Sequence, residues 1–213
     1  MLERTILIVD DNIRIESVYI PSYLNKINEL KEKSQKWKDY NFKLVHITSM
    51  KKALEYLMMP QNIVDVLVVD YDFCGEETFT SGTVFVKYIR DNINRYCQIV
   101  FYTMQGLDSI DKEELIDLIN SDVFKMVDKS EDVSEMGKVL FEASTRRNPI
   151  IESLEHFFIK YSTMLGSYNY TFGGEVITFN EIINHIRMDD DQGRVFIEKL
   201  LQKAILSDTN VGE

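Results

Sequence analysis

The residues of this sequence that could do chemistry stand at the ends of apolar runs. Asp70 closes the run VLVVD, whose β-branched and aliphatic side chains predict a buried central strand of a parallel sheet. Because reactive groups in open α/β sheets collect beyond the carboxyl ends of the strands, Asp70 is a candidate nucleophile with its oxygens facing solvent. The run TILIV ends in the same way at Asp10 and Asp11, and two adjacent carboxylates favour a divalent cation. Two further runs lead to Thr103 and Lys129.

Together these side chains meet the needs of phosphoryl transfer to a carboxylate. That reaction spreads negative charge over the equatorial oxygens of the phosphoryl group, so a cation, a hydroxyl and an ammonium group all assist it. The simpler alternative is that Asp70 caps the following turn and that Asp10 and Asp11 lie in a solvated turn. Suitable groups at four strand ends favour phosphoryl transfer over coincidence.

Strands that alternate with helices must position these groups. The spacing of apolar residues predicts strands at 5–9, 42–47, 64–70, 98–103 and 123–127. It predicts helices at 13–38 with a bend or restart at Pro21, at 50–59, from 82 onward, at 111–119 and from 132 to about 143. Capping boxes are expected at Asp111 with Glu114 and at Asp132 with Glu135. The alternation demands a doubly wound, five-stranded parallel sheet over residues 1–147, an α/β fold.

Composition bounds the class of protein. The chain has 213 residues, of which 45% are hydrophobic, enough for one good core with a small second domain. Its net charge of −11 argues against a large nucleic-acid footprint or binding to an anionic membrane surface. The two cysteines and three histidines lack metal-ligand spacing. Because we find neither a signal-peptide core nor an apolar run of membrane length, we expect a cytoplasmic protein.

Five motifs in order give the sequence a family resemblance. ILIVDDN, VLVVD, SGTVFVKYIR, IVFYT and MVDKS resemble, in sequence and approximate spacing, the receiver domain of two-component response regulators over residues 3–145. The resemblance implies a flavodoxin-like sheet with strand order 2-1-3-4-5. It also implies a role in phosphorelay signalling rather than in metabolic catalysis, with a sensor histidine kinase or a phosphotransfer protein as partner.

The resemblance also implies a role for each matching residue. Asp70 would be the phosphoacceptor, Thr103 the switch hydroxyl and Lys129 the cation that binds the phosphoryl group. Asp10 and Asp11 would be the acidic pair around Mg²⁺. Asp70 and the backbone carbonyl of Asp72 would complete the protein ligands of that ion.

Three positions depart from the receiver pattern. Met104 follows the switch hydroxyl, where receivers usually have a small residue that leaves the phosphoryl group accessible. Met126 stands where an aromatic switch residue is expected, and Ser130 replaces the proline that usually follows the lysine. These departures keep open the alternative of a pseudo-receiver, a binding module that is not phosphorylated.

A second family offers a less favoured alternative. Asp70 and Asp72 form a DxD motif that, with a later threonine and lysine, is similar to haloacid dehalogenase phosphatases. In those enzymes the second acidic pair follows the lysine, whereas here Asp10 and Asp11 precede the whole motif set. The order of the motifs therefore favours the receiver.

Residues 148–213 resemble no family that we recognise and are predicted to form a small, mostly helical domain. We expect a helix at 150–165, a hairpin at Gly173 and Gly174, a helix opened by a capping box of Thr178 and Glu181, and a last helix at 195–206. The segment carries five basic and ten acidic side chains, and this charge balance argues against DNA binding. Its role is predicted to be contact with a downstream protein or self-association.

Overall fold

The described part of the chain divides into two compact units. The computed structural model describes residues 2–73, 78–103, 106–128, 133–165, 169–172 and 174–209. The first unit comprises residues 1–90 and 97–147, and the second comprises residues 91–96 and 148–213. No helix within the described ranges is both long and apolar enough to cross a membrane.

The first unit is built on a parallel sheet. Within the described residues five strands are ordered β2-β1-β3-β4-β5, which confirms the predicted doubly wound fold and strand order. The strands are β1 Leu2–Val9, β2 Tyr40–Ile47, β3 Val66–Asp70, β4 Gln98–Thr103 and β5 Lys125–Asp128. The register pairs Val9 with Val69, so Asp10 and Asp70 leave the sheet side by side.

Helices cover both faces of this sheet, as a parallel sheet requires. They are α1 Ile20–Glu32, α2 Met50–Met58, α3 Gly82–Asn92, α4 Lys112–Asn120 and α5 Val133–Ser144. On one face, Ile8 and Val68 of the sheet pack in a buried cluster with Ile27 of α1 and Leu140 of α5. Burial of that apolar surface is the main stabilising term for the unit.

The first helix differs from its predicted length. A π-helical segment at Ile15–Tyr19 precedes α1, and Pro21 lies in the first turn of α1, in agreement with the predicted restart. The helix ends at Glu32 and not near residue 38. Beyond it Trp37 is buried, and the guanidinium carbon of Arg4 lies 5.6 Å from its ring centroid. The buried indole ring therefore packs against β1, and the chain after α1 does not continue as a solvent-exposed helix.

A buried ion cluster lies at the start of β3. The Oδ1 atom of Asp65 accepts hydrogen bonds from Nη1 of Arg4 at 2.9 Å and from Nη1 of Arg147 at 3.0 Å. Its Oδ2 atom accepts from the backbone N–H of Thr5 at 2.6 Å. The cluster fastens the last residue of the first unit to β1 and β3.

The second unit has its own elements and core. Its elements are α6 Pro149–Lys160, α7 Ser162–Leu165, β6 Asn169–Phe172, β7 Glu175–Thr178, α8 Phe179–Met188 and α9 Asp191–Thr209. The predicted single helix at 150–165 is thus two helices that break at Tyr161. Phe158, Ile183 and Phe196 are buried in its core, and Arg187 donates to Glu155 at 2.8 Å within that core.

The predicted hairpin and capping box of the second unit are present. Strands β6 and β7 pair antiparallel, and Gly174 has a φ of 93°, which a side chain would strain. Gly173 lies outside the described residues. Glu181 accepts from the backbone N–H of Thr178 at 2.7 Å, and its own N–H donates to the Thr178 hydroxyl at 3.3 Å. Local sequence therefore set the start of α8.

Candidate functional site

Three acidic side chains meet at the carboxyl edge of the sheet. Carboxylate oxygens of Asp10, Asp11 and Asp70 all lie within 4.8 Å of one another. Asp11 is exposed, but Asp10 is fully buried and Asp70 is only 3% exposed. Asp70 therefore lies at the predicted edge without the open solvent contact that its strand-end position suggested.

Asp10 is held by hydrogen bonds from both sides. Its Oδ1 atom accepts from the backbone N–H of Asn12 at 2.8 Å, and its Oδ2 atom accepts from the hydroxyl of Tyr102. Its backbone carbonyl accepts from Nε2 of His46 at 2.8 Å. Burial of Tyr102, together with the negative charge of Asp10, raises the pKa of the tyrosine well above 10, so the hydroxyl remains a donor.

Tyr102 is a residue of the site that the sequence did not predict. It lies in the IVFYT motif directly before Thr103, the residue to which the role of the switch hydroxyl was assigned. A polar tip on an otherwise apolar strand end was the available signal, because a buried tyrosine hydroxyl usually has a hydrogen-bond partner.

Thr103 and Asp70 both contact Asp72. The backbone N–H of Asp72 donates to Oδ1 of Asp70 at 3.3 Å, and the fully buried Thr103 hydroxyl donates to Oδ2 of Asp72 at 3.3 Å. The predicted use of the Asp72 backbone carbonyl as a metal ligand stays a prediction.

The predicted phosphoryl-binding lysine follows the end of β5. Asp128 pairs with Thr103 in the register of the sheet, and Lys129 is the next residue along the chain. Lys129, Met104, Ser130 and Asp132 lie outside the described residues. The predicted roles of these residues therefore stay predictions.

The start of α3 lies against the strand end that carries Asp70. A Cβ atom added to Gly82 would be 2.2 Å from the backbone oxygen of Asp70 and 3.2 Å from Cε2 of Phe101. No side chain fits this contact, so glycine is required where the helix meets the site.

Glu114 of α4 accepts hydrogen bonds from the two ends of the connection between β3 and α3. Its Oε2 atom accepts from the Tyr71 hydroxyl at 2.8 Å, and its Oε1 atom accepts from the Ser81 hydroxyl at 3.3 Å. The bond to Glu114 is the main cause that raises the pKa of Tyr71 to about 12. The predicted capping box was therefore wrong for Glu114: Asp111 alone caps α4, through the N–H of Glu113 at 2.8 Å.

The acidic cluster suits a hard divalent cation. Carboxylate oxygens are the ligands that Mg²⁺ prefers, and three of these groups crowd into one site here. Like charges at this separation repel strongly in a buried setting unless a cation offsets them. The donor set of Asp10, Asp11 and Asp70 therefore fits Mg²⁺.

A doubly wound α/β unit with acids at the carboxyl edge of its sheet defines a broad class of protein. No family model matches the sequence, and no curated protein matches it either. Solved structures do match. The signal receiver domain of a Vibrio parahaemolyticus protein shares 13% identity at a TM-score of 0.50, over 73% of this chain and 97% of that chain. The first unit thus has the fold of response-regulator receiver domains.

Other solved receivers resemble this chain less closely in structure. A two-component response regulator from Clostridium difficile has 15% identity and a TM-score of 0.48, covering 67% of this chain and 97% of that one. A CheY-like receiver domain from Methanospirillum hungatei has 15% identity and a TM-score of 0.43, covering 68% and 95%. The second unit remains unassigned.

Proposed function

We propose that this chain is a response-regulator-like signalling protein that accepts a phosphoryl group on Asp70 in a Mg²⁺-dependent phosphorelay of the cytoplasm. The observation that carries the proposal is the convergence of Asp10, Asp11 and Asp70 within 4.8 Å at the carboxyl edge of a receiver fold. In this function the chain is a phosphoacceptor and not a metabolic enzyme.

The proposed chemistry is a displacement at phosphorus. A carboxylate oxygen of Asp70 attacks the phosphorus of a phosphohistidine on a kinase or phosphotransfer protein, or of a small acyl phosphate. The new O–P bond forms as the P–N or P–O bond of the donor breaks, and the leaving group takes the bonding electrons. The product is an acyl phosphate on Asp70.

The residues around Asp70 have distinct tasks in this proposal. The N–H of Asp72 orients the Asp70 carboxylate through its 3.3 Å contact with Oδ1. The Thr103 hydroxyl and the Lys129 ammonium group provide hydrogen bonding and positive charge for the phosphoryl oxygens. When bound by the acidic residues, Mg²⁺ offsets the charge that they share with the phosphoryl group.

The output of the second unit is proposed to be protein contact. Apolar side chains remain exposed on the second half of α9, at Leu200, Leu201, Ile205 and Leu206. Large apolar side chains grouped on one exposed stretch of a helix are typical of a surface that packs on another protein. We propose that the second unit binds a downstream protein or a second copy of the chain.

One observation favours a second candidate function. Asp70 is 3% exposed, so little of the residue is open to a phosphoryl donor. A pseudo-receiver, which keeps the fold and binds partners without phosphorylation, fits this burial.

Intact mass after incubation with Mg²⁺ and a small acyl phosphate distinguishes the two functions. The wild-type protein should gain the mass of one phosphoryl group, and Asp70→Asn should gain none. Asp108→Asn is the matched control, because Asp108 is an exposed acid outside the cluster. If the wild-type protein binds Mg²⁺ but is never labelled by the acyl phosphate or by a histidine kinase, the pseudo-receiver is the correct function.

A further inference from the structure

Tyr102 joins the core of the first unit to the acidic site. The residue is 2% exposed, and its side chain belongs to the same buried cluster as Ile8 and Val68. In the register of the sheet it pairs with Asp70 of β3, yet its hydroxyl donates to Oδ2 of Asp10, which follows β1. Since β3 lies between β1 and β4, this side chain reaches across the central strand.

The position of Asp10 makes this hydrogen bond consequential. The Asp10 carboxylate is fully buried and has lost its hydrogen bonds to water. Donors of the protein must replace those hydrogen bonds, because burying a charge without partners is costly. The N–H of Asn12 supplies one donor, at 2.8 Å from Oδ1. A backbone N–H is present in almost any residue at that position, whereas the hydroxyl donor at position 102 depends on the residue being tyrosine.

We propose that Tyr102 is a positioning residue of the cation site, which holds the Asp10 carboxylate in place beside Asp11 and Asp70. The inference rests on the proposed Mg²⁺ binding and deepens it. Hydrogen bonds that orient a ligating carboxylate are worth about 10- to 100-fold in metal affinity. Tyr102 acts on the cation through Asp10.

Calorimetric titration of the full chain with Mg²⁺ measures this role. Tyr102→Phe keeps the buried ring and removes only the hydroxyl, so the dissociation constant should rise about 10-fold or more. Tyr96→Phe is the matched control, because the Tyr96 hydroxyl bonds Asp189 in the second unit. Its Mg²⁺ affinity should equal that of the wild-type protein.

A double-mutant cycle separates positioning from a general loss of stability. In an Asp10→Asn background, Tyr102→Phe should weaken Mg²⁺ binding by less than about 2-fold, because the group that Tyr102 positions is already altered. Equal losses in the wild-type and Asp10→Asn backgrounds would show that the hydroxyl only stabilises the fold, and would overturn the inference.

A measurement on the wild-type protein covers the case in which Tyr102→Phe does not fold. The ring carbon that bears the Tyr102 hydroxyl should change its NMR chemical shift on Mg²⁺ addition, while that of Tyr96 should not. An unchanged Tyr102 signal in a protein that binds Mg²⁺ overturns the inference alone. A wild-type protein that binds no Mg²⁺ overturns the proposed function as well.

Discussion

Gly82→Ala should damage the first unit and its proposed cation site together. The added Cβ atom would lie 2.2 Å from the backbone oxygen of Asp70 and 3.0 Å from its carbonyl carbon. A main-chain oxygen cannot rotate away as the end of a side chain can, so either α3 or the end of β3 must shift by about 1 Å to restore van der Waals contact.

The energetic cost follows from the usual penalty for overpacking. Inserting a methyl group into a filled site costs about 1–3 kcal/mol, and the better helix propensity of alanine returns at most about 1 kcal/mol. A net loss of about 1–2 kcal/mol should lower the Tm by roughly 2–8 °C for a chain of this length. Because the shifted atoms belong to Asp70, the Mg²⁺ dissociation constant should also rise, roughly 10-fold.

Gly193→Ala is the matched control for this prediction. Its added Cβ atom would lie 2.3 Å from the backbone oxygen of His185, which is nearly the same overlap in the second unit. This variant should lose similar stability in thermal unfolding but bind Mg²⁺ like the wild-type protein. If Gly82→Ala leaves both Tm and Mg²⁺ affinity unchanged, the close contact between α3 and Asp70 does not constrain the site.

Two further predictions concern buried charge and pH. Asp65→Ala leaves Arg4 and Arg147 buried without their shared carboxylate, so the free energy of unfolding measured in urea should fall by about 3–5 kcal/mol. Asp117→Ala is the control, because it breaks only the surface pair with Lys87 and should lower that free energy by less than about 1 kcal/mol. Equal costs would contradict the buried-ion argument. The pKa of Tyr71 is raised to about 12 in the folded state, so the protonated hydroxyl stabilises the fold. This stabilisation is complete below pH 10 and disappears as the pH rises through about 12. Tyr71→Phe should therefore reduce the fall in stability over that interval, and an unchanged profile would show that the bond to Glu114 is not kept in solution.

The sheet was predictable because its signal is local and redundant. The runs around Val9 and Val69 are continuously apolar, as strands buried on both faces require, and each is followed by an acid. Once the strand order is known, the pairing of Val9 with Val69 brings Asp10 and Asp70 together. The clustering of the acids thus follows from topology alone.

The contacts that were not predicted depend on how far side chains reach between elements. Tyr102 contacts Asp10 across β3, and no spacing within β4 encodes that distance. Glu114 matched the capping-box pattern, but hydrogen bonds from Tyr71 and Ser81 replaced the local one. Tertiary partners override local propensity in such cases, and the same is true of Trp37, whose burial follows the early end of α1.

The second unit consists of two separate segments of the sequence, so truncation at one position does not remove all of it. Residues 91–96 belong to it, although they form the last two residues of α3 and the connection to β4 of the first unit. Within it, the N–H of Arg95 donates to the carbonyl of Arg187 at 2.9 Å, and Tyr96 bonds Asp189. A chain cut after Arg147 keeps this loop but loses its partners, and residues 148–213 expressed alone lack the loop. Transplanting the second unit onto another receiver would therefore require moving two separate segments of sequence, because the unit is discontinuous in the chain.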